Sequence, residues 1–146
     1  MKINEITTVN NIPAFTNDIL HILDLQEKPE IIYNDMPNNI LGYCLWKIGD
    51  TNVKIHIKDC LKKDLTNLKR VIAHELCHMA EYLIFWDRFI KDKWNENKLP
   101  LNEFLSSMFD IINDNAHGEI WQEYADKVNE VYGKDFVTKY SDKVME

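Results

Sequence analysis

The sequence is poor in cysteine, glycine and proline. Its three cysteines, Cys44, Cys60 and Cys77, are odd in number and form no C-x-x-C pair. This excludes a disulfide framework and a cysteine-based zinc ribbon. The four glycines and four prolines are scattered, and there is no internal repeat or low-complexity linker to divide the 146 residues. We therefore expect one domain spanning residues 1–146.

Long apolar runs are also missing. No stretch approaches the roughly 20 apolar residues that a membrane-spanning helix needs. The first 15 residues, MKINEITTVNNIPAF, lack the apolar segment of a secretory signal. We therefore expect an intracellular protein, cytoplasmic or nuclear, that has no membrane partner and keeps its cysteines reduced.

Positive charge is scarce as well. Seventeen basic residues face 24 acidic ones, for a formal net charge of −7, which argues against a whole-surface affinity for nucleic acid. One local exception is residues 49–70, which carry six basic and three acidic side chains. We interpret these residues as a solvated face, and contact with DNA is the alternative.

What the sequence does contain is typical of a globular α+β domain. Hydrophobic residues make up 45% and charged residues 28%, and a chain of this length can bury about 70% of its unfolded surface. Short strands are predicted at residues 30–33, 40–47 and 52–58. The last of these alternates apolar and polar side chains, and Gly49 and Asp50 before it suit a hairpin turn.

Helical periodicity covers most of the rest. A first helix opens at Pro13, and a long one runs from about residue 64 to residue 86, with Asp64 or Thr66 as its cap. A third helix follows Pro100, and the last starts near Gly118. Because strands do not alternate with helices, we predict an α+β fold with a small, mostly antiparallel sheet packed on helices.

The chemically informative string is H-E-L-C-H at residues 74–78, inside the long predicted helix. Residues four apart share a helix face, so His74 and His78 can both reach one Zn²⁺ at about 2.0–2.1 Å. Glu75 lies beside that face and can act as general base toward metal-bound water. The apolar stripe of the helix points away from both histidines, which argues against a simple core role.

A catalytic zinc needs a third protein ligand and one open position. His117 is the favoured candidate, because it starts the last helix at the end of its buried stripe. Glu103 is the rival, since glutamate-type zincins take a Glu from a downstream helix. His21 and His56 are predicted to lie at the surface. Glu81, one turn past the H-E-x-x-H string, projects about 60° round the helix.

Several strings together carry a more specific pattern. H-E-L-C-H has Cys at its fourth place, His117 and Gly118 precede the aromatic Trp121, and Asn129 follows 12 residues after His117. Upstream, Gly42 and Cys44 form a Gly-x-Cys string before a strand and the zinc helix. This pattern resembles the SprT-like metallopeptidase family, which includes Spartan and the germ-cell nuclear antigen proteins, over most of the chain.

The resemblance implies a zincin-like (SprT-like) domain with its zinc site on the long helix. It implies that His117 is the third zinc ligand beside His74 and His78, and that Glu75 is catalytic. The implied activity is hydrolysis of a protein or peptide by a zinc-dependent protease. For eukaryotic members the substrates are proteins crosslinked to DNA, so DNA-associated proteins are the implied substrates here.

The sequence departs from the family in two places. The spacing from His78 to His117 is 39 residues, so we predict an insertion at about residues 87–112 with a helix of its own. A surface elaboration is the simpler interpretation; a cap over the site or a partner surface is the alternative. The C-terminal zinc ribbon of many members is missing from the sequence, so no DNA-binding module is visible.

Two other functions stay open. The first is a zinc-stabilised interaction or adaptor domain, whose metal site would be closed by four protein ligands. The second is a glutamate-type zincin, in which Glu103 would replace His117. Tyr43 and Tyr82 are candidates for an oxyanion donor. We interpret Cys77 as a small buried hydrophobe and not as a nucleophile.

Overall fold

The fold is α+β, with a three-stranded mixed sheet and helices packed on it. A computed structural model describes residues 12–37, 39–47, 51–100, 102–104, 106–107, 117–139 and 141. In chain order the helices and strands are α1 (Ile12–Ile22), β1 (Glu30–Asn34), β2 (Gly42–Leu45), β3 (Lys54–Lys58), α2 (Leu65–Ala80), α3 (Asp87–Asn97) and α4 (Glu119–Tyr132). Each predicted strand is present, with shifted ends.

The predicted "mostly antiparallel" sheet is wrong, because the sheet is mixed. Its order is β1-β3-β2, with β2 and β3 antiparallel but β1 and β3 parallel. The short connection between β2 and β3 enforces an antiparallel pair. From Asn34 to Lys54 the chain is long enough for the crossover that parallel strands require. The connection passes through β2, which leaves the other edge of β3 for β1.

A continuous helical run extends from Leu65 to Asn97 and carries the predicted H-E-x-x-H string. The Asp64 side chain accepts a hydrogen bond from the Asn67 backbone N–H at 3.3 Å, so Asp64 caps α2 as predicted. A π-helical segment, Glu81–Trp86, joins α2 directly to α3.

The helical run continues past its predicted end near residue 86. The polar stretch that follows still places Trp86, Ile90 and Trp94 four residues apart, on one face. Lys91 pairs with Asp87 at 2.7 Å one turn away. A narrow apolar stripe with charged neighbours is enough to continue a helix when that stripe packs against other residues.

Helix α2 lies against the buried face of the sheet. Ile55 and Ile57 of β3 are fully buried, and so is every residue from 71 to 80 of α2. Gly42 of β2 allows this close approach, because a Cβ there would lie 2.8 Å from Val71 Cγ1. The H-E-x-x-H string is therefore held in the centre of the main core.

A second, smaller hydrophobic cluster lies beyond α2. Its buried members are Trp86, Ile90 and Phe104, and partly buried aromatic residues pack around them. Trp46 packs against this cluster and also against the main core. The described part of the predicted 87–112 insertion is thus anchored by its own apolar contacts.

Two predictions fall wholly or partly outside the described residues. They are the hairpin turn at Gly49 and Asp50, and the part of the helix predicted after Pro100 that follows residue 107. Residues 102–104 and 106–107 are helical. Within the described part of the chain, no helix combines the length and apolar character needed to cross a membrane.

Candidate metal centre

The three predicted histidine ligands meet at their Nε2 atoms. His74 and His78 lie one turn apart on α2, and His117 lies two residues before α4. His117 Nε2 is 3.1 Å from Nε2 of His78 and 3.2 Å from Nε2 of His74. Tetrahedral zinc with nitrogen ligands at 2.0–2.1 Å would need these atoms about 3.3 Å apart. Both distances from His117 are therefore close to those of a small tetrahedral site, and the ligand atoms of all three histidines lie within 4.8 Å of one another.

Within the described residues, these three side chains form a group whose ligand atoms all lie within 4.8 Å of one another. Glu103, the rival third ligand, is exposed and lies outside this group. His21 is exposed as predicted, and His56 is half-buried with its Nδ1 2.8 Å from Asn34 Oδ1. The geometry thus brings together His117 and the two helix histidines.

The tautomer of His74 leaves its Nε2 lone pair for a metal. Its Nδ1 lies 2.8 Å from the backbone oxygen of Thr138. A carbonyl oxygen can only accept, so Nδ1 carries the proton and donates. In the neutral ring Nε2 is then deprotonated. A backbone carbonyl on the remote ring nitrogen is a common support for a metal-binding histidine.

His78 has a carboxylate on its remote nitrogen. Its Nδ1 lies 3.5 Å from Oε1 of Glu81, a fully buried residue. The other oxygen of Glu81 accepts a hydrogen bond from Trp86 Nε1 at 2.9 Å. Burial raises the pKa of Glu81 to about 7, and the hydrogen bond from Trp86 acts in the opposite direction. The 3.5 Å contact is not a hydrogen bond, but it places a carboxylate against the remote nitrogen of His78, where such a group can orient a metal ligand.

Trp121 forms an aromatic wall beside the histidines. Its ring centroid lies 4.9 Å from that of His74, 5.7 Å from that of His78 and 5.1 Å from that of His117. Its Nε1 donates to the backbone oxygen of His74 at 3.4 Å. Trp121 is fully buried, so it packs α4 against α2 and limits the rotation of all three imidazoles.

Glu75 lies on α2 directly after His74. It is 1% exposed. Burial raises the pKa of Cys44 and of Cys77, and the charge of Glu75 raises both further. Because the charge of Glu75 acts on Cys44 of β2 and on Cys77 of α2, its carboxylate lies near the contact between these two elements. Cys77 itself is buried and its thiol stays protonated, as expected for a small hydrophobe.

Of the two tyrosines proposed as oxyanion donors, Tyr82 lies beside the histidines and Tyr43 does not. The Tyr82 ring stacks on that of His78, with centroids 5.7 Å apart and planes at 22°. Tyr43 instead stacks on His56 on the outer face of the sheet, 4.7 Å away. The geometry selects Tyr82 as the tyrosine next to the histidine cluster.

The segment after α4 is fixed by one side chain that the sequence pattern singled out. Asn129 Nδ2 donates to the backbone oxygen of Val137 at 3.1 Å, and its Oδ1 accepts from the Val137 N–H at 2.8 Å. Val137 directly precedes Thr138, whose carbonyl holds His74. Asn129 therefore fixes the backbone that orients a histidine of the cluster.

Sequence reasoning missed the supports of the site. The Thr138 contact comes from a backbone carbonyl, for which no side-chain pattern exists. The sequence places Glu81 about 60° round the helix from His78, and at this i,i+3 spacing its side chain still lies 3.5 Å from the ring. A buried acidic residue three positions after a candidate histidine ligand was the available signal.

An open cleft of about 1180 Å³ lies along α4 and the segment that follows it. His117, Gly118, Asn129 and Thr138 are among its lining residues. One ligand of the cluster therefore borders space large enough for a peptide segment.

Comparison of the chain with protein-family models, curated proteins and solved structures finds no match.

Proposed function

We propose that this protein is a zinc metallopeptidase of the SprT-like type, with a zincin-like fold. The single observation that carries the proposal is the position of His117 Nε2, which lies 3.1 Å from His78 Nε2 and 3.2 Å from His74 Nε2. Zinc is the favoured metal, because three imidazoles form a known catalytic zinc set and their spacing suits tetrahedral geometry.

Two features favour catalysis over a structural zinc site. Among the described residues the cluster consists of three ligands, the number that a catalytic zinc takes from the protein, whereas structural sites use four protein ligands. Glu75 also follows His74 directly on the same helix, and a structural site has no use for a buried carboxylate there. An interaction or adaptor domain would instead require a closed site.

Each residue has a defined role in the proposed reaction. His74, His78 and His117 would hold the metal. A bound zinc ion supplies acidified water and polarises a scissile carbonyl. Glu75 accepts the proton of the attacking water and passes it to the leaving amine. Tyr82, beside His78, is the candidate donor to the developing oxyanion.

The proposed substrate is a protein or peptide, and DNA-associated or DNA-crosslinked proteins are the specific proposal. The cleft beside His117 offers room for an extended segment. DNA would have to act through the basic cluster of residues 49–70 or through another protein, because the net charge of −7 disfavours a general affinity for nucleic acid.

The decisive variant is Glu75→Gln. It keeps the size of the side chain but removes the base, so zinc stays bound while hydrolysis falls about 10²–10⁴-fold. The zinc-loaded protein is incubated with unfolded proteins, with and without single-stranded and double-stranded DNA. New N-termini are then counted by mass spectrometry. Glu103→Gln, the same change at an exposed residue, is the matched control and should cleave like wild type.

Cleavage at the wild-type rate by zinc-loaded Glu75→Gln would refute the mechanism. A wild-type protein that binds zinc with four protein ligands by X-ray absorption, and cleaves nothing under any of these conditions, would favour the adaptor interpretation.

A further inference from the structure

We infer that Glu81 is a positioning residue for the proposed metal centre, and that Trp86 couples it to the segment following α2. This inference deepens the proposed function and rests on it. It assigns a role to two residues outside the H-E-x-x-H string. It also links the predicted 87–112 insertion to the site, because Trp86 directly precedes that insertion.

The two carboxylate oxygens of Glu81 face different neighbours, His78 and Trp86. One carboxylate oxygen lies 3.5 Å from Nδ1 of His78, and the other accepts from Trp86 Nε1 at 2.9 Å. The Glu81 side chain is fully buried. The hydrogen bond from Trp86 holds the carboxylate in place, and its other oxygen, which has no hydrogen-bond partner among the described residues, faces the His78 imidazole at 3.5 Å. A buried carboxylate with one oxygen unsatisfied is costly, which favours a closer contact with a protonated His78 Nδ1.

The segment Glu81–Trp86 is π-helical. In an α-helix, residues five apart project about 140° away from each other, so Glu81 could not meet Trp86. In a π-helix the backbone bond runs from i to i+5, which places these two residues one turn apart. Irregular turns of this kind are frequent at functional sites. Here the π-helical turn is what lets an indole N–H reach the carboxylate.

Trp86 is packed in the second hydrophobic cluster. Its ring is buried with Ile90 of α3 and with Phe104. Ring contacts with Phe85 and Phe89, at centroid distances of 5.0 and 5.4 Å, hold it further. The path from the second cluster to the metal site is therefore Trp86 to Glu81 to His78. Through this path, the packing and hydrogen bond of Trp86 act on the orientation of the His78 imidazole.

The consequence concerns metal affinity. Partners on the remote nitrogen of a metal-bound histidine typically change affinity 10–100-fold. Glu81→Gln keeps the volume of the side chain but replaces one oxygen by an NH₂ group. That NH₂ donor must then face another donor, either His78 Nδ1–H or Trp86 Nε1–H. Trp86→Phe keeps most of the packing and removes only the indole donor.

The experiment measures Zn²⁺ affinity by chelator competition and records Co²⁺ absorption spectra for four proteins. They are wild type, Glu81→Gln, Trp86→Phe and Trp94→Phe. The last is the matched control: Trp94 also lies in the helical run and packs against the second cluster, but its indole N–H donates to the backbone oxygen of Leu99 at 2.6 Å and not to Glu81. Thermal unfolding of the metal-free proteins checks folding.

We expect zinc affinity about 10–100-fold lower for Glu81→Gln and about 10-fold lower for Trp86→Phe. Both should show a shifted Co²⁺ spectrum and Trp94→Phe should match wild type. Wild-type affinity and spectrum in Glu81→Gln would overturn the inference while leaving the metal site intact. So would an equal loss in Trp94→Phe, which would indicate general loosening. If Trp86→Phe does not fold, Glu81→Gln decides alone. A wild-type protein without zinc affinity would refute the proposed function, and the inference with it.

Discussion

Each imidazole of the cluster is held by a different kind of partner. A backbone carbonyl orients His74, a buried carboxylate faces His78, and His117 packs edge-on against Trp121. The histidines themselves follow from a residue pattern, because two of them occupy i and i+4 of one helix. The partners that orient the histidines do not follow from a residue pattern, because most of them come from chain segments that meet only in the folded protein.

Asn129 gives a residue-scale prediction. It clamps Val137 through one donor and one acceptor, and Asp keeps the acceptor but loses the donor. We expect Asn129→Asp to lower the free energy of unfolding by about 1–3 kcal/mol, because a partly buried carbonyl loses its partner. We also expect it to weaken zinc binding, since Thr138 then orients His74 less well. Urea unfolding and chelator competition measure the two effects.

The control for this prediction is Asn97→Asp. Asn97 also donates from Nδ2 to a backbone carbonyl, that of Lys93, but in an exposed position at the end of α3. It should change neither stability nor zinc affinity appreciably. Equal effects from the two variants, or an Asn129→Asp protein with wild-type zinc affinity, would contradict the role of the clamp.

At the scale of elements, the sequence predicted where the strands lie but not how β1 pairs. Alternation of Ile55 and Ile57 with polar neighbours identified β3 and its buried face, because that signal is local. Parallel pairing of β1 with β3 depends on which sheet edge the crossover reaches. The predicted helix end near residue 86 missed α3 because the apolar stripe of α3 is narrow. It stabilises a helix only by packing in the second cluster, and that contact forms in the folded protein.

Gly42 gives a prediction at this scale. A methyl group there would meet Val71 Cγ1 at 2.8 Å and the His56 backbone oxygen at 3.0 Å. Gly42→Ala should therefore push β2 away from α2 and cost about 1–3 kcal/mol of unfolding free energy. Denaturant unfolding measures the loss. Adding Val71→Ala should recover part of it, because it removes the closer of the two contacts.

If the double variant were less stable by the sum of the two single effects, the close packing of β2 on α2 would not be the cause. The same element contact places Cys44 near Glu75, so a displaced β2 should also lower any hydrolytic activity.

For the whole molecule, the candidate site is assembled from three separated parts of the chain. They are α2, the start of α4 and the segment after α4, and His117 comes 39 positions after His78. The motif at residues 74–78 could be read locally. The sequence also favoured His117 over Glu103 as third ligand, and in the fold Glu103 is exposed while His117 Nε2 lies 3.1 Å from His78 Nε2.

Zinc content and zinc affinity, measured for wild type beside His117→Ala and Glu103→Ala, decide whether the three histidines form the metal site. The account predicts one zinc per chain in wild type and in Glu103→Ala, and a large loss of affinity in His117→Ala, because two ligands from one helix hold zinc poorly alone. Zinc binding as tight in His117→Ala as in wild type would contradict the three-histidine site.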